Sequence, residues 1–446
     1  MESYPKNNNF RYNPAKVLVL SFAIIIFLGS ILLSLPVATI NHRSLSYLDA
    51  LFTATSAVCV TGLVVVDTGT TFSIFGQIVI LILIQIGGLG IMTFAALIAM
   101  ALGKKISFKQ RLMLQETFNQ NSIQGIVRLV RYVLVITFIL EFAGALILGA
   151  HWFSEMGWKA FYYGLFHSVS AFNNAGFDLM GGFSSLASYT SDVITNVVIM
   201  FLILTGGIGF FVLWDLYLYP WKRKFSYHSK IVLTTSGLLL LVAFAAIFIL
   251  EFHNPNTLGS LDTGDKILAS FFMAVTPRTA GFSTIDVGNM TQASLFFTMI
   301  LMFIGASPGS TGGGIKTSTF IVVLASIMAN IKGRKQSVLF KKAIPLSAYT
   351  RAISIFLLSL FLIIGTAFLL TLFENNPLMD NIFEAVSAFG TVGLSTGITP
   401  SLTLPGKIAI IIAMFAGRVG PLTLAYVLGE KGSDLIKYPE GNILIG

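Results

Sequence analysis

Four glycines in this chain could present backbone carbonyl oxygens to an ion. Each closes a short run of small and polar residues, follows an apolar segment and precedes Leu or Phe. The glycines, roughly 110 residues apart, are Gly62, Gly176, Gly281 and Gly393. Glycine adopts left-handed backbone conformations without a side-chain clash, and such conformations can aim carbonyl oxygens at one axis, where they replace a cation's hydration shell. The spacing therefore predicts four related units around one ion site.

The residues before each glycine complete the candidate site. They are small, β-branched or amide side chains, so none brings a charge into the turn itself. The predicted filter consists of Val60, Thr61, Gly62, Asn174, Ala175, Gly176, Thr279, Ala280, Gly281, Thr391, Val392 and Gly393. Two turns depart from the pattern, since Pro277-Arg278 precedes the third and an additional Gly390 precedes the fourth. We therefore expect a short and asymmetric site.

The composition is that of a membrane protein. Hydrophobic residues make up 55% of the 446 residues, charged residues make up 11%, and the mean hydropathy is +0.83; soluble domains carry about 25% charged residues. The single Cys59 excludes a disulfide framework, and no His, Cys or carboxylate cluster has metal-ligand spacing. The five histidines are expected at surfaces or interfaces.

Apolar stretches and glycine turns divide the chain into four repeats, covering residues 1–125, 126–228, 229–346 and 347–446. Each repeat is predicted to contain a membrane span, a half-length helix that cannot cross the bilayer, the glycine turn and a second span. The predicted spans are 17–36, 73–101, 131–150, 190–218, 230–251, 293–331, 348–373 and 407–428, and the predicted pore segments are 46–62, 160–176, 266–281 and 380–393. The expected fold is all-α, with eight transmembrane helices, pseudo-four-fold symmetry, a cytoplasmic surface helix at 107–122 and a C-terminal tail.

Charged residues predict the orientation of this multi-pass protein in the cell membrane. Lys and Arg concentrate in the linkers between repeats and near both termini, which places these segments in the cytoplasm by the positive-inside rule. Acidic residues, among them Asp67, Asp178 and Asp286, cluster near the glycine turns on the opposite side. A negative mouth there would concentrate cations, although translocated loops that simply lack Lys and Arg are the alternative. The basic residues that give the net charge of +9 are distributed by membrane side, so no nucleic-acid partner is expected.

A glycine-rich segment interrupts the second span of the third repeat. Apolar sequence flanks it, so it lies at membrane depth, where non-helical backbone is tolerated only if it is buried or lines water. Its candidate functional residues are Gly305, Ser310, Thr311, Gly312, Gly313, Gly314, Lys316 and Thr317. A phosphate-binding loop is excluded because Ile315 separates Gly314 from Lys316 and no strand precedes the segment. A static kink remains the alternative to a functional role.

Arg418 is an ionisable residue within the last predicted span. A charge inside the bilayer is costly, so a functional role is the default expectation for it. Structural pairing of the guanidinium with neighbouring groups is the alternative that the sequence leaves open.

These residues resemble the Trk/Ktr/HKT superfamily of cation transporters over essentially the whole chain, most closely the membrane-spanning subunits of bacterial Ktr potassium uptake systems. The family has four M1–P–M2 units (span, pore helix, span) fused in one polypeptide, each with one filter glycine, which matches the four glycines above. In plant relatives a serine at the first position accompanies sodium permeation, so Gly62 implies selectivity for K⁺ held at the filter carbonyls. The resemblance implies that the segment from Gly305 to Thr317 is a gating loop beneath the filter and that Arg418 lies near it.

The resemblance also implies partners and conditions of transport. Potassium uptake is expected to depend on sodium, with Na⁺ as a possible second ion. A homodimer of pore subunits, each with its own pore, is expected in the lipid bilayer. The sequence has no G-x-G-x-x-G motif outside the membrane spans, so a KtrA-like ring of separate cytosolic subunits would bind the nucleotide and dock on the basic face. No covalently bound cofactor is expected.

Two other functions are alternatives to an ion pathway, and each requires particular residues. A proton- or sodium-coupled symporter of a small solute would place carboxylates at the bilayer midplane, yet only Glu141 and Asp215 approach the interior of a span. A membrane-embedded enzyme would need a nucleophile, a metal cluster or an acid pair, and the sequence offers none. The ion pathway is therefore favoured over the symporter, and we expect the chain not to be an enzyme.

Overall fold

The computed structural model describes residues 14–90, 125–334 and 336–428, together with residues 93, 94, 96, 97 and 100. These residues are mostly helical. The predicted surface helix at 107–122 and the C-terminal tail after residue 428 lie outside the described residues, and the end of the predicted span 73–101 is described only in part.

Four long helices begin the four predicted repeats. They are α1 (Pro14–Ser34), α5 (Ile126–Met156), α9 (Tyr227–Glu251) and α13 (Leu346–Phe373). Each is a run of Leu, Ile, Phe and Ala with no proline beyond the first position, and each is long and apolar enough to cross a membrane. Large apolar side chains such as Phe361 (77% exposed) and Ile249 (71% exposed) face outward, as expected where a surface meets lipid. The chain is an integral membrane protein.

Each long helix is followed by a shorter, largely buried helix of 13 or 14 residues. These are α2 (Tyr47–Cys59), α6 (Lys159–Phe172), α10 (Thr263–Val275) and α14 (Leu378–Gly390). At 1.5 Å per residue such a helix is about 20 Å long, which is too short to cross the bilayer. The α2 helix begins where Ser46 accepts a hydrogen bond from the Asp49 N–H at 3.2 Å. Its last turn is fully buried, so these helices enter the protein and end inside it.

The helices after the glycine turns are interrupted. They are α4 (Ile74–Leu89), the pair α7 (Val193–Gly207) and α8 (Phe210–Lys222), the pair α11 (Gln292–Phe303) and α12 (Thr317–Ile331), and the pair α15 (Leu404–Val419) and α16 (Pro421–Leu428). The α7–α8 pair bends by 101° at Gly209 and the α15–α16 pair bends by 95° at Gly420, and both glycines have positive φ angles. An interruption predicted for the third repeat alone is therefore wrong. Hydropathy misses the other breaks because apolar residues continue on both sides of a single glycine.

Short elements complete the described chain. A helical turn, α3 (Thr68–Thr71), and 3-10 turns at Pro36–Ala38, Ala187–Tyr189, Val287–Asn289 and Thr399–Ser401 lie between the main helices. A two-stranded antiparallel hairpin, β1 (Val338–Leu339) and β2 (Lys342–Ala343), follows α12. This short hairpin is an exception within the predicted all-α fold, because the polar linker reverses direction there within a few residues.

In the third and fourth repeats, a carboxylate joins the end of the long helix to the start of the helix that follows the glycine turn. Glu251, the last residue of α9, accepts hydrogen bonds from the N–H and the hydroxyl of Thr291 at 2.9 Å each. Glu374 accepts the same pair from Thr403 at 2.9 and 2.7 Å. Each threonine also caps the following helix, so the two helices of the repeat are fixed at one end.

Candidate functional site

Each short helix ends in a turn with two left-handed positions. The first is a residue other than glycine, and it is Val60, Asn174, Thr279 or Thr391, with φ from 50° to 70°. The second is the glycine two residues later, with φ of 92°, 71°, 79° and 90° in chain order. Left-handed backbone costs a residue with a Cβ about 1 kcal/mol or more. Strain at the same position in all four turns indicates a geometry that the surrounding fold imposes.

Hydrogen bonds tie the N–H groups of the turn back to the short helix. In the first repeat, Ser56 accepts through its carbonyl oxygen from Thr61 N–H (2.8 Å) and through its hydroxyl from Gly62 N–H (3.1 Å). Ser387 makes the same two bonds in the fourth repeat, at 2.9 and 3.2 Å. Because the N–H groups point to the helix, the carbonyl groups of the turn are left for other partners.

The third turn is held differently. Ala280 N–H donates to the Thr276 carbonyl (3.0 Å), and the Thr276 hydroxyl donates to the Phe282 carbonyl (2.5 Å). Pro277 and Arg278 lengthen the path from the helix to the glycine. The asymmetry expected for the third turn from its sequence is present in its hydrogen bonds.

The four glycines approach one another as a closed ring. A Cβ on Gly62 would lie 2.5 Å from the Ala175 carbonyl oxygen, one on Gly176 would lie 2.8 Å from that of Ala280, and one on Gly281 would lie 2.7 Å from that of Val392. A Cβ on Gly393 would clash with the Thr61 carbonyl oxygen and so closes the ring. The turns therefore meet in chain order around one axis, and each glycine borders the carbonyl of the next repeat.

A cavity of about 450 Å³ opens on one side of this ring and touches all four glycines. Asp67, Asp178 and Asp286 line it, one from each of the first three repeats, and Ser395 lines it in the fourth. Burial, together with repulsion from Asp67, raises the pKa of Asp178 to about 6. Carboxylates around a concave mouth raise the local cation concentration, which is what the sequence predicts for these aspartates.

The glycine-rich segment between α11 and α12 lies against the opposite side of the turns. On the second repeat, Ser307 N–H donates to the Gly207 carbonyl (3.0 Å) and Thr311 N–H donates to that of Gly206 (3.2 Å). The Thr311 hydroxyl also donates to the Asn174 side-chain oxygen at 2.9 Å. We call this segment, residues 304–316, the loop.

The loop reaches the third and fourth turns as well. Gly313 N–H donates to the Thr391 hydroxyl at 3.1 Å, and a Cβ on Gly312 would clash with the Thr279 hydroxyl oxygen. Gly314 has a φ of +66°, and a Cβ there would meet the Gly390 carbonyl at 3.1 Å. The loop thus packs directly beneath three of the four turns, with no room for larger side chains.

Contacts within the loop fold it on itself. Lys316 Nζ donates to the Gly312 carbonyl at 2.6 Å, so this ammonium group is held inside the loop. The Ser310 hydroxyl donates to the Ser307 carbonyl (2.6 Å), and the Thr317 hydroxyl donates to the Ser307 hydroxyl oxygen (3.2 Å). A Cβ on Gly305 would lie 2.5 Å from the Gly313 carbonyl oxygen, which shows how closely the two ends of the loop approach.

Arg418 joins the loop to the first repeat. Its guanidinium donates to the Thr311 carbonyl on the loop and to the Gly87 carbonyl near the end of α4. A weaker contact reaches the Gly88 carbonyl at 3.4 Å. With Arg418 included, the loop is connected to all four repeats.

Several contributors to the site have no distinct signal in the sequence. Asn174 is predicted only as filter backbone, yet its side chain holds Thr311. Gly209 allows the Pro308 carbonyl to approach, and Phe210 N–H donates to the Gly309 carbonyl at 2.8 Å. The surface prediction for histidines is wrong for His167, which is fully buried in α6 with its ring accepting from Leu179 N–H (3.4 Å).

Glu141 lies buried in α5 with amide partners. Its carboxylate accepts from Asn173 at 2.9 Å and from Gln85 at 3.3 Å. Among the residues that the structure describes, no group of three or more His, Cys, Asp and Glu side chains is placed to hold a metal ion.

Comparison with known proteins assigns the architecture to a family. The family model described as TrkH, cation transport protein, matches residues 13–431. The chain belongs to this TrkH family. The crystal structure of the potassium transporter TrkH from Vibrio parahaemolyticus is similar in fold, with a TM-score of 0.72 and 19% identity over 95% of this chain and 87% of that one.

Sequence relatives of this TrkH-family chain match it over nearly its full length. The Ktr system potassium uptake protein B of Bacillus subtilis (strain 168) is 47% identical over 437 residues, covering 98% of this chain and 97% of the relative. The potassium/sodium uptake protein NtpJ of Enterococcus hirae is 40% identical over 98% of both chains.

Proposed function

We propose that this TrkH-family chain is a potassium uptake protein whose four glycine turns form the selectivity filter. The ring in which each glycine borders the next repeat's carbonyl carries this proposal. Thr61, Ala175, Ala280 and Val392 supply those carbonyls, and oxygens arranged around an axis can replace the water of a K⁺ ion. The choice of ion is supported by the relatives, since both are named as potassium uptake proteins.

The proposed topology has eight spans and four M1–P–M2 units. Four single helices and the two bent pairs meet the length and hydropathy of a span; α4 and the α11–α12 pair would supply the other two. Both termini and the basic linkers lie in the cytoplasm under this proposal. The aspartate-lined cavity then faces outward and collects K⁺, which descends through the ring toward the loop.

The loop is proposed to be the gate. It packs beneath three turns, and Arg418 adds a positive charge on the same side. Passage of an ion requires the loop to leave this position, which breaks its bonds to Asn174 and Thr391. A cation in the path also opposes K⁺ electrostatically until it moves.

Regulation is proposed to come from other chains. A ring of cytosolic nucleotide-binding subunits would dock on the basic linkers, and two copies of this chain would form a homodimer. The word "system" in the Bacillus subtilis relative's name is consistent with further subunits. Sodium is proposed as a stimulating ion, a reading that the potassium/sodium uptake name of the Enterococcus hirae relative supports.

Replacement of Gly62 by serine tests the filter. A serine Cβ would lie 2.5 Å from the Ala175 carbonyl and put a hydroxyl at the ring. We expect the preference for K⁺ over Na⁺ to fall roughly tenfold, about 1.4 kcal/mol. The readouts are potassium-limited growth of an uptake-deficient strain and Rb⁺ against Na⁺ flux in proteoliposomes.

Gly365→Ser is the matched control, because Gly365 is a helical glycine with no atom within 4 Å of an added Cβ. Wild-type protein that fails to restore growth would reject the potassium proposal. An unchanged ion preference in Gly62→Ser would reject the assignment of the filter.

A further inference from the structure

The Arg278 side chain leaves the ion axis and enters the wall between two helices. Its backbone carbonyl stays at the third turn and accepts from the Asn174 amide at 3.3 Å. Its guanidinium extends the other way and donates to the Ser236 hydroxyl on α9 at 3.0 Å. The side chain is 8% exposed, so a cation is buried in the membrane part of the protein.

This guanidinium lines a cavity of about 220 Å³ between α7 and α9. The rest of the lining is Ser236 and apolar side chains, including Ile203, Leu204, Leu233 and Leu240. A guanidinium has five N–H donors, and Ser236 is the side chain that accepts from it here. The ion pairs of the described chain join His151 to Asp192 and Lys407 to Asp49, so no carboxylate within it neutralises Arg278.

The depth of the cavity restricts what could neutralise this charge. Tyr227 is the first residue of α9, and at 1.5 Å per residue Ser236 lies roughly 14 Å further along this helix. A diacyl phospholipid would have to draw its headgroup out of the interface to reach that depth. A carboxylate matches the guanidinium fork with two parallel hydrogen bonds, and apolar walls suit a hydrocarbon chain. One small anionic head matches the single buried charge, and its one hydrocarbon chain can lie against the apolar walls.

We propose that this cavity binds a single-chain amphiphile with a carboxylate head, a fatty acid, with the carboxylate on Arg278 and Ser236. Arg278 lies three residues before Gly281, so its uncompensated charge repels K⁺ at the ring. The bound carboxylate cancels that repulsion and raises the K⁺ flux. The effect on flux rests on the proposed potassium function; the binding does not.

Binding is tested with purified full-length protein in neutral phosphatidylcholine vesicles and a photoreactive fatty acid. Gly237 lines the cavity, and a Cβ there would meet no atom within 4 Å, so Gly237→Leu adds bulk to the cavity wall without a clash at Cβ. Gly365→Leu makes the same change at another open helical glycine. We expect saturable labelling of α9 in wild type and in Gly365→Leu, with at least a tenfold loss in Gly237→Leu and in Arg278→Gln.

Flux is measured in the same vesicles with oleate or its methyl ester. We expect oleate, but not the ester, to raise wild-type Rb⁺ flux roughly fivefold. Arg278→Gln should show raised flux without oleate and no response to it, and Gly237→Leu should keep the basal flux and lose the response.

Three results would overturn the proposal. The first is equal photolabelling of Gly237→Leu and wild type. The second is that the uncharged methyl ester competes with the label as strongly as oleate does. The third is that phosphatidylglycerol displaces the label at the same mole fraction as oleate. Labelling that behaves as expected in a protein without basal Rb⁺ flux would instead reject the proposed potassium function and leave the binding site standing.

Discussion

The glycine ring and the loop beneath it are both built from glycine-rich backbone, yet they are held in opposite ways. The ring has four similar turns, one from each repeat, and each glycine leaves no space for a Cβ beside the next repeat's carbonyl. The loop occurs once, and side chains such as Asn174, Thr391 and Arg418 hold it. The difference teaches that steric closure by many equivalent parts suits selection, whereas a few separate hydrogen bonds suit movement.

The energetics of the two regions agree with their proposed roles as filter and gate. A hydrogen bond within a protein contributes a net of about 1 kcal/mol. The bonds from the loop to the turns could therefore be exchanged by a ligand or partner that favours another position by a few kcal/mol. The ring offers no such exchange, because strained residues at four equivalent positions persist only where the surrounding packing imposes them.

The largest effect is expected from a change that breaks the ring. In Gly281→Ala the added methyl group would lie 2.7 Å from the Val392 carbonyl, and the φ of +79° is unfavourable for alanine. We expect Rb⁺ flux in proteoliposomes to fall about 100-fold, equivalent to about 2.7 kcal/mol. Gly365→Ala should transport like wild type. Retention of more than half the flux by Gly281→Ala would contradict a tight ring.

A smaller effect of opposite sign is expected from the loop. Thr311→Val keeps the side-chain shape but removes the hydroxyl that donates to Asn174. Loss of about 1 kcal/mol from the closed position should raise Rb⁺ flux roughly fivefold. Thr350→Val, which removes a hydroxyl from an exposed position on α13, is the control and should leave the flux unchanged.

The same bond can be isolated by combining variants. Asn174 has a φ of +57°, which glycine tolerates, so Asn174→Gly removes the acceptor without straining the turn. If the hydroxyl acts through Asn174, Thr311→Val should have no further effect on flux in the Asn174→Gly background. Full additivity of the two changes would show that the loop does not use this bond to stay closed.

The sequence predicts the ring better than the contacts of the loop. Glycine spacing and half-length apolar segments are local patterns, so Gly62, Gly176 and their counterparts can be placed without coordinates. The partners of the loop are distant in the chain, as in the contact between Arg418 and Gly87, 331 residues apart. A sequence without an alignment carries no record of such pairs. Hydropathy does not predict the breaks at Gly209 and Gly420, because it is averaged over a window in which a single glycine has little weight.

A moderate effect of pH is expected at the aspartate-lined cavity. Burial and the neighbouring Asp67 raise the pKa of Asp178 to about 6, so the carboxylate loses its charge as the pH falls through that value. Rb⁺ flux at low external Rb⁺ should then drop roughly twofold between pH 7 and pH 5, because one negative charge near the ring is lost. Asp178→Asn should have the lower flux at pH 7 and lose this pH step. A wild-type step that persists in Asp178→Asn would assign it to another group.

The smallest effect is expected where an ion pair, rather than backbone, joins the first and fourth repeats. Lys407 Nζ lies 2.7 Å from the Asp49 carboxylate, and both side chains are partly exposed, at 16% and 20%. Such pairs contribute about 0.2–1 kcal/mol and weaken with salt. The coupling between Lys407→Met and Asp49→Asn in a double-mutant cycle of thermal unfolding should fall in that range and shrink in 0.5 M salt.

Flux through the doubly substituted protein should stay within about twofold of wild type. The reason is that the contact of Gly393 with the Thr61 carbonyl already closes the ring between the same two repeats. A coupling well above 1 kcal/mol, or a loss of K⁺ selectivity on removing the pair, would mean that surface charge rather than glycine backbone keeps the first and fourth turns together. The contrast between ring and loop would then no longer be one of steric closure against removable polar contacts.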